Sequence, residues 1–148
     1  MNYVIDLDPT HLVLRLTVTE NFTDEACMDS YRTLGRFASR GGPYAGISDF
    51  SQVAYPQVSA QTIQSIAALD PAIPGPRPRV IVAATQVAYG LARMFQLHRD
   101  YLGGRLYVVR SLPEAYKIVG ARSEDFTRLV FTKGPRSERR GLPVRFPR

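Results

Sequence analysis

The 148-residue chain has a net charge of +6, an apolar fraction of 45% and a charged fraction of 22%. That length suits one domain of ~100–150 residues with its own core, and the composition excludes a disordered or fibrous chain. A single cysteine, Cys27, excludes an internal disulfide and a cysteine-based metal site.

The charge is unevenly spread. Six basic residues of the last sixteen, against Glu138 alone, carry five of the six net charges, so residues 1–132 are near neutral. The start, Met1 to Asp6, has no basic leader or apolar h-region, so a cytoplasmic location is expected. The longest apolar run, Val80 to Ala84, falls far short of the ~20 residues of a membrane span.

Tyr3 to Leu7 is rich in β-formers, Asp8-Pro9-Thr10-His11 is a turn, and Leu12, Leu14, Leu16 and Val18 alternate as in a strand. Together they predict an antiparallel hairpin. Thr23 caps a first helix, with Asp24 and Glu25 in its first turn. Cys27, Tyr31, Leu34 and Ala38 form its inner stripe, so Cys27 is expected as a buried, inert thiol. Gly41-Gly42-Pro43 ends it. Tyr44 to Phe50 reads as a strand, with Ala45, Ile47 and Asp49 alternating with Gly46, Ser48 and Phe50.

Ser59 can cap a second helix that buries Ile63, Ile66 and Ala67 and stops at Asp70-Pro71. A stiff connector, Pro74 to Pro78, leads to Val80-Ile81-Val82-Ala83-Ala84. This run lacks alternation, so it predicts a strand in mid-sheet with helices on both sides. Thr85 starts a third helix with a stripe of Val87, Leu91, Met94, His98 and Leu102, and with Phe95 beside it. His98 is therefore read as a packed, hydrogen-bonded side chain. Gly90 costs this helix ~1 kcal/mol relative to alanine, which points to a close approach by backbone or ligand.

Leu106 to Val109 reads as another buried strand. Ser111 and Glu114 form a capping box ahead of a short helix that ends at Gly120. Residues Ser123 to Thr132 read as a short helix or an extended piece. The predicted fold is α/β: a mostly parallel sheet of about five strands flanked by four helices, in the order β-β-α-β-α-β-α-β-α. Residues 1–122 form the domain, and 123–148 form a C-terminal extension with a basic, proline- and glycine-containing tail.

Size, element order and one local pattern resemble the STAS domain of bacterial anti-sigma-factor antagonists. Ile47-Ser48-Asp49-Phe50-Ser51-Gln52-Val53 looks like that family's strand and loop ahead of its regulatory helix. Tyr89 to Phe95, Val108-Val109-Arg110 and Glu114-Ala115 are similar to a bacterial branch called STAS/SEC14-like. The resemblance covers roughly residues 2–120. It implies a regulatory switch by serine phosphorylation at the start of the second helix. Aligned on Asp49 to Val53, that position is Val58, which cannot be phosphorylated. Its neighbour Ser59 is the candidate phosphorylation position, at a helix end that favours an anion, and its bland role is a cap.

No dinucleotide fingerprint, Walker loop or paired-histidine motif is present, so no cofactor and no metal are expected. Three function classes remain. The first is a non-enzymatic STAS-like regulatory or binding module, expected as a homo-oligomer, which engages a protein partner or a small apolar ligand. Its binding residues would be Asp49, Ser51, Ser59, Tyr89 and Arg93. The second is a nucleic-acid-associated protein acting through Lys133, Arg136, Arg139, Arg140, Arg145 and Arg148. The third is a small enzyme with a site near Asp49 and Ser51, at a strand end where α/β sites form.

Overall fold

The computed structural model describes residues 2–100 and 105–132. The basic tail residues Lys133, Arg136, Arg139, Arg140, Arg145 and Arg148, and also Leu102, lie outside the described residues. The chain runs β1 (Asn2–Asp8), β2 (Val13–Glu20), α1 (Asp24–Ala38), β3 (Ala45–Asp49), α2 (Ala60–Ala67) and β4 (Arg79–Val82). It continues through α3 (Gln86–Asp100), β5 (Leu106–Val109), α4 (Leu112–Val119), a short 3-10 helix (Ser123–Asp125) and β6 (Thr127–Thr132).

The six strands form one sheet in the order β5-β4-β3-β2-β1-β6. This corrects the expectation of a mostly parallel sheet of about five strands. The sheet is mixed: β2 to β5 pair in parallel, while β1 is antiparallel to both β2 and β6. The sixth strand is the stretch after Asp125. It pairs with the outer edge of β1, with Ile5 opposite Val130.

The strands β2 to β5 step across the sheet in one direction. Right-handed crossovers then place α1, α2 and α3 on one face. That face collects Tyr3, Ile5 and Leu7 of β1 and Leu14, Leu16 and Val18 of β2 against α1 and α2. The opposite face carries Val13, Ala45, Ile47, Val80 and Val82, covered by Ala115 and Val119 of α4. Burying each such side chain contributes roughly 1.5–3 kcal/mol.

The apolar run at 80–84 is the strand β4 and its exit. Val80 and Val82 pack on α4, while Ile81 and Ala83 pack on Ala88 and Ala92 of α3. Helices thus cover both faces, as its missing alternation predicts. The neighbouring β5 differs. It is the sheet edge, and Tyr107 is exposed, so it is not the buried strand its composition predicts.

The caps follow the sequence. Thr23 accepts from the amide of Ala26 at 3.2 Å and Ser59 accepts from that of Thr62 at 3.1 Å. Thr85 accepts from the amide of Ala88 at 3.2 Å. Ser111 donates to the Glu114 carboxylate at 2.8 Å, joining the two ends of the predicted box, and its hydroxyl caps no amide. Gly120 closes α4 in the left-handed conformation, φ 74°, which glycine adopts without a Cβ penalty.

One buried ionic cluster ties the C-terminal strand to the sheet. Asp6 of β1 accepts from Arg15 of β2 at 3.0 Å and from Arg128 of β6 at 3.1 Å. Arg15 also donates to the Tyr116 hydroxyl at 2.6 Å and lies 4.2 Å from the Phe126 ring centroid. Removing the acid leaves a buried guanidinium without its counter-charge. Asp6→Ala should therefore lose about 3–5 kcal/mol in a urea titration, whereas an exposed substitution such as Gln64→Ala should change little.

Candidate functional site

The loop after β3 gathers the starts of three helices. Gln57 donates its amide to the Phe22 carbonyl at 2.7 Å, just ahead of α1. Thr85, ahead of α3, donates its hydroxyl to the Ala54 carbonyl at 3.0 Å. Ser59, ahead of α2, donates its amide and its hydroxyl to the Asp24 carboxylate at 2.8 and 3.1 Å. The Ser59 amide, foremost among these bonds, holds the Asp24 carboxyl below its ordinary value. A phosphate on Ser59 would meet that carboxylate at hydrogen-bond distance, so modification would have to part α2 from α1. Val58, the position given by the family alignment, is buried in the core.

Asp49 is buried at the end of β3 and accepts from the amide of Ser51 at 2.9 Å. Its side chain shares the α4 face with Ala45 and Ile47, while Ser51 is exposed. Tyr89 and Arg93 do not pair. Tyr89 lies under Arg110, 4.0 Å from ring centroid to guanidinium carbon, and Arg93 bonds the Gln96 amide oxygen on its own helix. The five proposed binding residues therefore ring the strand ends without converging on one point.

The inner face of α3 also differs from expectation. Its buried line is Ala88, Ala92 and Arg99, with Phe95 packed beside it, one position along from the predicted stripe. Val87 and His98 are consequently exposed, and the packed role for His98 is withdrawn. A Cβ on Gly90 would meet nothing within 4 Å, so no close approach explains this glycine. Cys27 is half-buried against the core, and burial, aided by the charge of Asp24, pushes its thiol up to about 12. It stays protonated and unreactive at neutral pH.

At the opposite end of β2, the β1–β2 turn brings Asp8, His11 and Asp125 together, with ligand atoms within 4.8 Å of one another. Every carboxylate in the group is engaged. Asp8 accepts from the amides of Thr10 and His11 at 2.9 and 3.1 Å and lies 2.8 Å from His11 Nδ1. Asp125 accepts twice from Arg122 at 3.2 Å. Burial opposes the Asp8 charge, but these bonds outweigh it and hold the carboxyl below its ordinary value. The arrangement is that of a stapled turn.

The feature that sequence reasoning missed is a cavity of about 170 Å³ between the sheet and α1, α2 and α3. Its wall is almost wholly apolar: Leu16, Phe22, Leu34, Ile63, Leu91 and Phe95 supply much of it. The floor is β3, which turns Gly46 and Ser48 to the helix-covered face where β2 presents leucines. Two arginines reach the same space, Arg79 of β4 and Arg99 of α3. Signals for both features lie in the sequence. Gly46 and Ser48 occupy one face of a strand, and Arg99 falls at helical spacing from Ala88, Ala92 and Phe95.

No protein-family model matches the chain, and no curated protein or solved structure matches it. Among the described residues, no helix is long and apolar enough to cross a membrane.

Two measurements check this geometry. Gly90→Ala should stabilise the protein by about 1 kcal/mol, because the site is helical and open; a loss of stability would mean that a neighbour occupies that space. Asp8 should favour folding above the ordinary carboxyl value of 3.8 and lose that contribution as pH falls through its lower folded value. Asp8→Asn should therefore cost stability at pH 6, and the gap to the parent should close towards pH 2. A gap independent of pH contradicts the assignment.

Proposed function

We propose that this chain is a STAS-like binding module, and that it holds a small apolar ligand in the cavity between the sheet and its three helices. The carrying observation is the cavity itself, about 170 Å³ of almost wholly apolar wall. Native interiors are close-packed, with few voids larger than a water molecule. A dry cavity of ~150 Å³ is enough to take up benzene. The STAS-like reading draws support from the alternation of strand and helix from β2 to α4 and from the stretch Ile47 to Val53. It places the regulatory loop of that family directly above the cavity, where Phe50, Pro56 and Val58 form part of the wall. A ligand below would then bear on the loop above, which is the coupling a regulatory module requires.

The chemistry of the wall favours binding over catalysis. Among the described residues, no carboxylate and no histidine lines the cavity. The only thiol there, Cys27, is held protonated. The hydroxyls there, Ser30, Ser48 and Tyr31, have no carboxylate or histidine beside them in the wall to act as a base.

Benzene serves as a probe of the cavity. At ten times its dissociation constant it should stabilise the protein by about 1.4 kcal/mol, seen as a rise of roughly 3–5 °C in Tm. Ser48→Ile, which fills the floor from β3, should abolish that rise while leaving the far-ultraviolet circular dichroism unchanged. An unshifted Tm for the parent chain, or an equal shift in the filled variant, would remove the basis for the ligand reading.

A further inference from the structure

Resting on that reading, we propose that the ligand is a small carboxylic acid: Arg99 and Arg79 hold its carboxylate, and the apolar wall holds its body. Arg99 is 4% exposed. Its guanidinium donates to the carbonyls of Leu69 and Ile66 at 3.0 and 3.2 Å and to the Tyr31 hydroxyl at 2.9 Å. Tyr31 in turn donates to the Asp70 carbonyl. These bonds fix the side chain across the C-terminal end of α2, where a cation is favoured. Every one of the acceptors is neutral. The Nε–H of Arg99 is buried with no partner among the described residues.

Arg79 is half-buried and likewise has neutral company. It donates to the Ile73 carbonyl at 2.9 Å, and no carboxylate lies within ion-pair distance of it among the described residues. Burial, and then the positive charge of Arg99, hold its guanidinium below the ordinary arginine value. The two cations thus share one end of an apolar space and feel each other. Elsewhere in this protein a partly buried arginine is matched in charge: Arg15, whose Nε is also without a partner among the described residues, has Asp6 at 3.0 Å. Buried charges ordinarily carry such a partner, because an unmatched one forfeits its hydration without return.

A ligand carboxylate completes the set. It supplies the missing negative charge and accepts N–H bonds from planar forks that suit its geometry. The space is partly open to solvent, and its volume suits a buried body of about six or seven carbon atoms, since a cavity of ~150 Å³ takes up benzene. That size also disfavours a bulkier phosphate head. Straight-chain and aromatic acids of this size share the chemistry, and hexanoate represents it.

The test compares hexanoate with 1-hexanol on the full chain, followed by methyl chemical shifts of Leu34, Ile63 and Leu91. Hexanoate should bind at least tenfold more tightly. Arg79→Met should weaken hexanoate about tenfold and leave 1-hexanol unchanged, with Tm as the control for folding. Equal binding of the two ligands overturns the carboxylate assignment and leaves the cavity reading in place. Binding of neither overturns both. A variant that keeps its full preference for hexanoate likewise overturns the assignment. The two-ligand comparison needs no substitution, so it decides the matter even if Arg79→Met fails to fold.

Discussion

The third strand sets the limits of everything built above it. On the helix-covered face it offers only Gly46 and Ser48, while β2 beside it offers Leu14, Leu16 and Val18. Three helices span that face, and their spacing follows the larger side chains of the flanking strands. They cannot descend onto β3, and the space left over is the cavity. Over Gly46 the end of the Ile73 side chain takes part of the room: a Cβ there would come within 2.4 Å of it, so Ile73 would have to shift. The same alternation that empties one face fills the other. Ala45 and Ile47 point away from the cavity and pack with Val80 and Val82 under α4. The strand therefore divides the molecule into a close-packed side and a side with room.

Charge is handled differently on the two sides. On the α4 face, Asp6 stands between Arg15 and Arg128 and joins β1, β2 and β6 through one carboxylate. That cluster is balanced in charge apart from the second arginine, though the Nε of Arg15 has no partner among the described residues, and it fastens the edge strand to the sheet. On the cavity face, Arg79 and Arg99 rely on backbone carbonyls and one tyrosine hydroxyl. Carbonyl dipoles orient a guanidinium but do not cancel its charge. A fold with no use for these charges would gain from apolar replacements of similar volume, which are often neutral or stabilising at buried ionic sites. Both stand at the edge of an apolar space.

The parts of this structure that were legible from sequence are those governed by local rules. Thr23, Ser59 and Thr85 cap helices because a hydroxyl before a helix meets free amides whatever the rest of the chain does. Val80 to Ala83 is apolar throughout because both its faces are covered, and it sits where that pattern predicts, while Ala84 is exposed. Misreadings arose where the answer depended on a partner distant in sequence. β6 is rich in β-formers, Thr127, Val130, Phe131 and Thr132, but its place in the sheet is set by the open edge of β1. The buried side of α3 is lined by alanines and an arginine, while leucine and valine lie partly outward, so hydrophobicity alone gave a stripe one position off. His98 and Gly90 were misjudged for that reason. The cavity is only partly legible: Gly46 and Ser48 mark its floor, but the space itself is a property of several elements at once.

The separation of the two faces also decides how the loop from Phe50 to Ser59 bears on function. Asp49 looked like the acid of a site because strand ends in α/β sheets often carry one. Its side chain shares the α4 face with Ile47, on the far side of the sheet from Gly46 and Ser48, and it is spent on the Ser51 amide. It fixes the first bend of the loop. Beyond that bend the chain passes over the cavity and is tethered to Phe22 and Asp24 at the start of α1 and to Thr85 at the start of α3. Anything that alters the spacing of α1, α2 and α3 must strain those three tethers together. The cavity lies beneath that spacing and the loop above it, so the two share one mechanical element.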